Sequence, residues 1–125
     1  MFVSIQTICF LGMKVIPVSV EVAIANGRVG ITIVGLGDKA ISESRERLQS
    51  SLVQIGMGVP PKKITVNLSP ADLQKEGAHY DLPIALGILA AYDRIPKDFL
   101  REHLILGELA LDGKIHPVNG VLPAA

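Results

Sequence analysis

The residues best equipped for chemistry lie close together between Ser69 and Asp81, a polar stretch carrying Asp72, Lys75, Glu76, His79 and Asp81. Two carboxylates flanking a reacting bond can divide acid and base work, which makes Asp72, Glu76 and Asp81 the first candidates. The plainer expectation is one helix cap, Asp81, and two loop charges. Three histidines, His79, His103 and His116, and the one cysteine, Cys9, stand at no spacing that a metal ion would use, so no metal site is expected. Neither a Gly-x-Ser-x-Gly elbow nor a CxxC pair occurs.

Two glycine-bearing runs invite a phosphate reading. Gly35-Leu36-Gly37-Asp38-Lys39-Ala40 fits the outline of the dinucleotide fingerprint. That fingerprint needs a parallel strand-helix-strand unit with an acid closing the second strand, whereas the earlier strands read as hairpins and the next one ends in Val66-Asn67-Leu68. A glycine turn capped by Asp38 is expected instead. Gly56 to Lys63 is no phosphate loop, because Pro60 and Pro61 remove amides and no Ser or Thr follows the lysines. Among the cations, Lys39, Arg45, Arg47, Lys62 and Lys63 are the candidates for meeting DNA phosphates, although Arg45 and Arg47 read more simply as a solvated helix face.

The elements that must position these residues follow from periodicity. Val3 to Leu11 and Val15 to Ala25 alternate as strands, the second with Val18, Val20, Val22 and Ile24 on one face. Asn26-Gly27 signals a tight hairpin, so Val29 to Val34 is expected to complete an antiparallel meander. Ile41, Leu48, Leu52 and Ile55 share a helical face over Lys39 to Ile55, with Gly56 closing it. Lys62 to Leu68 is a strand with Ile64, Val66 and Leu68 inward. Leu82 to Ala91 is apolar nearly all round and predicts a buried helix, with Asp81 as N-cap and Pro83 in its first turn. A short helix near Pro96 to Arg101 precedes two strands, Leu104 to Leu111 and Lys114 to Val118, around Asp112-Gly113.

Composition bounds the reading. A chain of 125 residues fits one domain spanning 1–125, and 49% hydrophobic against 19% charged residues disfavours disorder. Twelve Lys and Arg cancel twelve Asp and Glu, so no global field recruits nucleic acid or anionic lipid. The amino terminus lacks early Lys or Arg and a small-residue cleavage site, so no signal peptide is expected. With a single cysteine this points to the cytoplasm.

Val34-Gly35-Leu36, Glu43 to Arg47, Ile64 to Leu73, Lys75-Glu76-Gly77 and Asp81 to Ala91 closely resemble the amino-terminal domain of the magnesium-chelatase-like AAA+ ATPases, the ComM/YifB family. The resemblance covers nearly the whole chain, departing at Gly37, usually proline, and around Arg28-Val29-Gly30. It implies an α+β fold like the Lon protease domain and the second domain of the fifth small-subunit ribosomal protein, a sandwich with a mixed sheet and two main helices. Its structural motif falls on Asp72, Lys75, Glu76, Gly77, Asp81, Pro83, Gly107, Glu108, Gly113 and Pro117.

Alignment with Lon places His79 where the catalytic serine would stand and Leu122 where the lysine would, so the Ser-Lys dyad is absent and no protease chemistry is implied. The resemblance implies a non-catalytic scaffold, no cofactor in this stretch, and a motor using ATP and Mg2+ beyond Ala125. For the whole protein it implies a homo-oligomeric ring, without a membrane, driving DNA branch migration during competence and recombination. The alternatives are a DNA-contacting module of that ring, or a cryptic hydrolase built on His79 with Asp81 or Glu76.

Overall fold

The computed structural model describes residues 1–70, 75, 77–101 and 103–116. Four strands, β1 (Phe2–Leu11), β2 (Lys14–Ala25), β3 (Gly30–Val34) and β4 (Lys63–Ser69), form one mixed sheet in the order β1-β2-β4-β3. Among the described residues, three helices, α1 (Asp38–Gln54), α2 (Asp81–Ala91) and the short α3 (Lys97–Arg101), and a two-stranded hairpin, β5 (Glu108–Leu109) with β6 (Ile115–His116), give with the sheet an α+β architecture. β5 is shorter than the strand expected over Leu104 to Leu111, and Val118 lies outside the described residues.

The sheet order corrects the expected meander. β1 and β2 pair antiparallel through a turn at Gly12, but β2 next pairs with β4, and β3 runs parallel to β4 on its far side. The cause is the helix between β3 and β4: a strand-helix-strand unit closes as a parallel crossover, which seats β3 beside β4. β4 then takes the inner place because its register sets Leu68, Val66 and Ile64 against Val20, Val22 and Ile24. Asn26-Gly27 is therefore a link that steps past β4, not a hairpin turn.

One face of the sheet is the core. Ile5, Val20, Val22, Ile64, Val66 and Leu68 are fully buried, and Ile31 and Ile33 extend the layer onto β3. The predicted alternation holds on β2 and β4. The opposite face carries polar side chains, with Ser4 and Ser19 sharing a hydroxyl hydrogen bond of 2.8 Å and Asn67 donating to Glu21 at 2.9 Å.

α2 lies across β1 and β2 with Ile84, Ile88, Ala90 and Ala91 fully covered, as an element apolar all round must be. Gly87 lets it settle so closely that a Cβ there would stand 2.6 Å from Val22 Cγ2. The buried stripe of α1 differs from the one its apolar residues suggest. It runs Ser44, Leu48, Ser51, Leu52, while Ile41 is only partly covered and Ile55 is 54% exposed. Two small hydroxyl side chains thus occupy core positions, Ser44 bonding to Asp81 of α2 and Ser51 to the Ala110 carbonyl just past β5.

Candidate functional site

The chemically richest cluster forms where α1 meets the start of α2. Asp81 is the first residue of α2, not its cap. Tyr80 holds the N-cap position with helical dihedrals and makes no side-chain cap, so the chain enters α2 through a turn in which the Asp81 amide donates to the Ala78 carbonyl at 3.2 Å. The Asp81 carboxylate therefore points at α1. It accepts from Ser44 Oγ at 2.7 Å, from Arg47 through both Nε and Nη2, and from the Leu109 amide at 3.2 Å. The two-pronged guanidinium geometry is the strong form of this pairing. Asp81 is 1% exposed and the Arg47 side chain 18%. The hydrogen bond to Asp81 raises the Arg47 pKa above its ordinary value.

The expected capping by Asp81 is replaced by main chain. The Leu82 amide of the first turn donates to the Gly107 carbonyl at 2.9 Å, and the Gly107 amide donates to the His79 carbonyl at 2.9 Å. A Cβ on Gly107 would meet Leu82 Cδ2 at 3.0 Å, which explains glycine there. Asp38 likewise does not cap: it is the first helical residue of α1, exposed, behind an extended Gly37.

Beside this cluster lies an open groove of about 590 Å3, lined by Gly37, by Asp38, Lys39, Glu43 and Arg47 of α1, and by Lys75, Gly77 and Ala78 of the loop before α2. Lys75 is 2% exposed, bridges Leu36 through its backbone and donates its ammonium to the Pro70 carbonyl. No hydroxyl or thiol side chain lines the groove among the described residues. His79 turns away from it into the interior, 4% exposed, with Nε2 2.7 Å from the Ile8 carbonyl and its ring against Tyr80 and Phe10. Burial pushes the His79 pKa below its ordinary 6.5, partly opposed by the bond to Ile8.

Of the three candidate carboxylates, Asp81 is committed to Arg47, Ser44 and Leu109, while Asp72 and Glu76 lie outside the described residues. Pro117 and Leu122 do as well. Glu108 in β5 adds its negative field to Arg47, Pro83 is buried in α2, and Gly113 turns the hairpin at φ +92°. Among the described residues no three His, Cys, Asp or Glu side chains are placed to share a metal ion.

The five candidate cations do not form one patch. Lys39 sits 3.9 Å from Glu43, Arg47 is drawn into the interior, and Lys62 donates to Asn26 Oδ1 at 2.6 Å. Arg45 and Lys63 do come together, with Arg28, along a second groove. The reading of Arg47 as part of a solvated helix face is thus corrected, because Asp81 offers a buried partner that only the fold brings near. The readable signal was Ser44 and Ser51, seven apart and in phase with Leu48 and Leu52, a polar stripe that needed partners.

The parallel β3-α1-β4 unit supplies the topology that the dinucleotide fingerprint requires, contrary to the expectation of hairpins. The residues still depart from that fingerprint in two respects. Gly35, at φ +106°, is pressed so near β4 that a Cβ would lie 2.7 Å from the Leu68 carbonyl, so this glycine serves strand packing. The acid that would grip a ribose at the end of β4 is absent from Val66-Asn67-Leu68-Ser69.

A family model described as subunit ChlI of Mg-chelatase matches residues 20–125. Competence protein ComM of Haemophilus influenzae is 46% identical over 114 residues, covering 91% of this chain, and protein YifB of Escherichia coli is 44% identical over 121 residues, covering 97%. Lon protease 2 of Bacillus subtilis is more distant, at 26% identity over 119 residues, 86% of this chain and 21% of its own length. The chain belongs to the magnesium-chelatase-like family of ComM and YifB. It spans 22% of the length of that ComM and 24% of that YifB. No helix among the described residues is long and apolar enough to cross a membrane.

Proposed function

We propose that this chain is the non-catalytic amino-terminal scaffold of a magnesium-chelatase-like AAA+ ATPase, with a fold of the Lon-protease-domain type. The observation that carries the reading is His79. The resemblance to Lon sets it where a nucleophilic serine would stand, and in this fold it is buried and bonded to β1, beside a groove whose described lining holds no hydroxyl or thiol. The mixed sheet and the likeness to a Lon protease support the fold name.

Neither glycine run fits ATP, so ATP and Mg2+ belong to a motor elsewhere in the protein. In this reading the full-length protein is a cytoplasmic homo-oligomeric ring that works on DNA, driving branch migration in transformation and recombination. The domain's part is to hold subunits in register. The test is sedimentation of the full-length protein with and without residues 1–116, in ATP and Mg2+. Rings are expected from the intact protein and smaller species from the truncated one, and unchanged assembly would remove the scaffold role. Peptide cleavage by the intact protein, abolished by a serine-hydrolase probe, would remove the non-catalytic one.

A further inference from the structure

Three of the twelve Lys and Arg converge where β3 and β4 begin. Arg28 lies on the link before β3. Lys63 opens β4, in register beside Gly30, and Arg45 projects from α1. All three are exposed, and with Thr32 and Gln49 they line an open groove of about 530 Å3 that contains no carboxylate. Elsewhere the exposed cations are mostly neutralised locally: Lys39 by Glu43, Arg101 by Asp98, Lys114 by Asp112. Arg28, Arg45 and Lys63 are in no ion pair among the described residues.

Gathering three unpaired like charges from positions 28, 45 and 63 costs the fold electrostatic energy and returns none internally, which marks the groove as built for an anion from outside. β3 is an edge strand with no neighbour beyond it among the described residues, so the groove there is open along its length to an extended ligand. Two guanidinium forks and an ammonium suit oxygens of repeated phosphates better than isolated carboxylates.

We propose that this groove binds the phosphodiester backbone of DNA through Arg28, Arg45 and Lys63. The proposal rests on the reading that the full-length protein works on DNA, and it locates the contact in a set of residues that excludes Lys39 and Arg47. It predicts binding without base preference, because every contact is to the backbone.

The test titrates full-length protein against a fluorescein-labelled DNA duplex by anisotropy at several KCl concentrations. Wild type is compared with Arg28→Ala/Arg45→Ala/Lys63→Ala and with a control, Lys14→Ala/Arg94→Ala/Lys114→Ala, that removes equal charge elsewhere. Three phosphate contacts contribute a log-log salt slope of about 2.7 per chain, so wild-type affinity should fall roughly 40-fold more than the groove variant's between about 50 and about 200 mM salt. The control should keep the wild-type slope. Equal slopes in groove and control variants would overturn the proposal, as would a wild type that ignores the duplex but binds phosphatidylglycerol vesicles. ATP-dependent assembly measured on the same samples separates the two readings. A groove variant that assembles normally yet loses the slope supports both, whereas a wild type that binds the duplex without assembling counts against the scaffold alone.

Discussion

Arg45 and Arg47 stand two residues apart on α1 and end in opposite circumstances. Arg47 lies over the helix junction, forked onto a carboxylate that is 1% exposed, while Arg45 faces solvent beside two further unpaired cations. The residue type is the same and the helix is the same. What differs is the neighbour that the fold supplies, Asp81 in one case and Arg28 with Lys63 in the other. The first arginine should therefore be read out in stability and the second in binding.

The largest effect expected is on the interior side. Arg47→Ala leaves the buried Asp81 carboxylate with only Ser44 and the Leu109 amide, and losing one partner of a buried pair should cost about 3 kcal/mol. Urea unfolding of the protein checks this. Asp81→Ala should also cost more than the 1 kcal/mol or so that a lost helix cap would, because Asp81 ties α2 to α1 and to β5 rather than capping α2. In a double-mutant cycle the two changes should be strongly non-additive, with a coupling of about 1 to 3 kcal/mol. Simple additivity would show that the pair is incidental and the contrast with Arg45 empty.

That contrast also shows what sequence could and could not supply. The alternation of Val18, Val20 and Val22 and of Ile64, Val66 and Leu68 was readable, because inward burial imposes period two on each strand by itself. The buried α2 was readable for the same local reason. Strand order was not: Asn26-Gly27 is a sound hairpin signal, and only the crossover through α1, a property of three elements together, overrides it. The site was harder still. Asp81 looked like a cap since a carboxylate just before an apolar run usually is one, and its true partners, Ser44, Arg47 and Leu109, lie 37, 34 and 28 residues away. The family motif, by contrast, was evident, because a long local run of Ile64 to Leu68 and Asp81 to Ala91 carries it.

A middle-sized effect belongs to His79, a further polar group drawn inward. Burial lowers its pKa below 6.5, so in the folded chain it resists protonation that the unfolded chain accepts. The unfolded state then binds more protons as pH falls through that value, and stability, full above pH 6.5, should decline below it. His79→Gln can still donate to the Ile8 carbonyl but does not titrate. Chemical denaturation at about pH 7.5 and about pH 5.5 should show a drop in wild type that is smaller in the variant. An equal drop in both would assign the acid sensitivity elsewhere.

The smallest stability effect falls to Arg45→Ala, and its smallness is what completes the comparison. The side chain is exposed and has no ion-pair partner among the described residues, so its removal leaves no buried charge and no lost bond. Alanine is also the better helix former, which offsets what little packing the arginine stem provides. The unfolding free energy should therefore stay within about 0.5 kcal/mol of wild type, and the relief of repulsion with Lys63 and Arg28 pushes it toward a gain. In the same preparation the slope of DNA affinity against salt should fall by about one, the share of a single phosphate contact. Thermal melts and anisotropy on one sample read both quantities. A marked loss of stability with an unchanged slope would mean that Arg45, like Arg47, is held by the fold, and the division of α1 into a structural and a binding side would be lost.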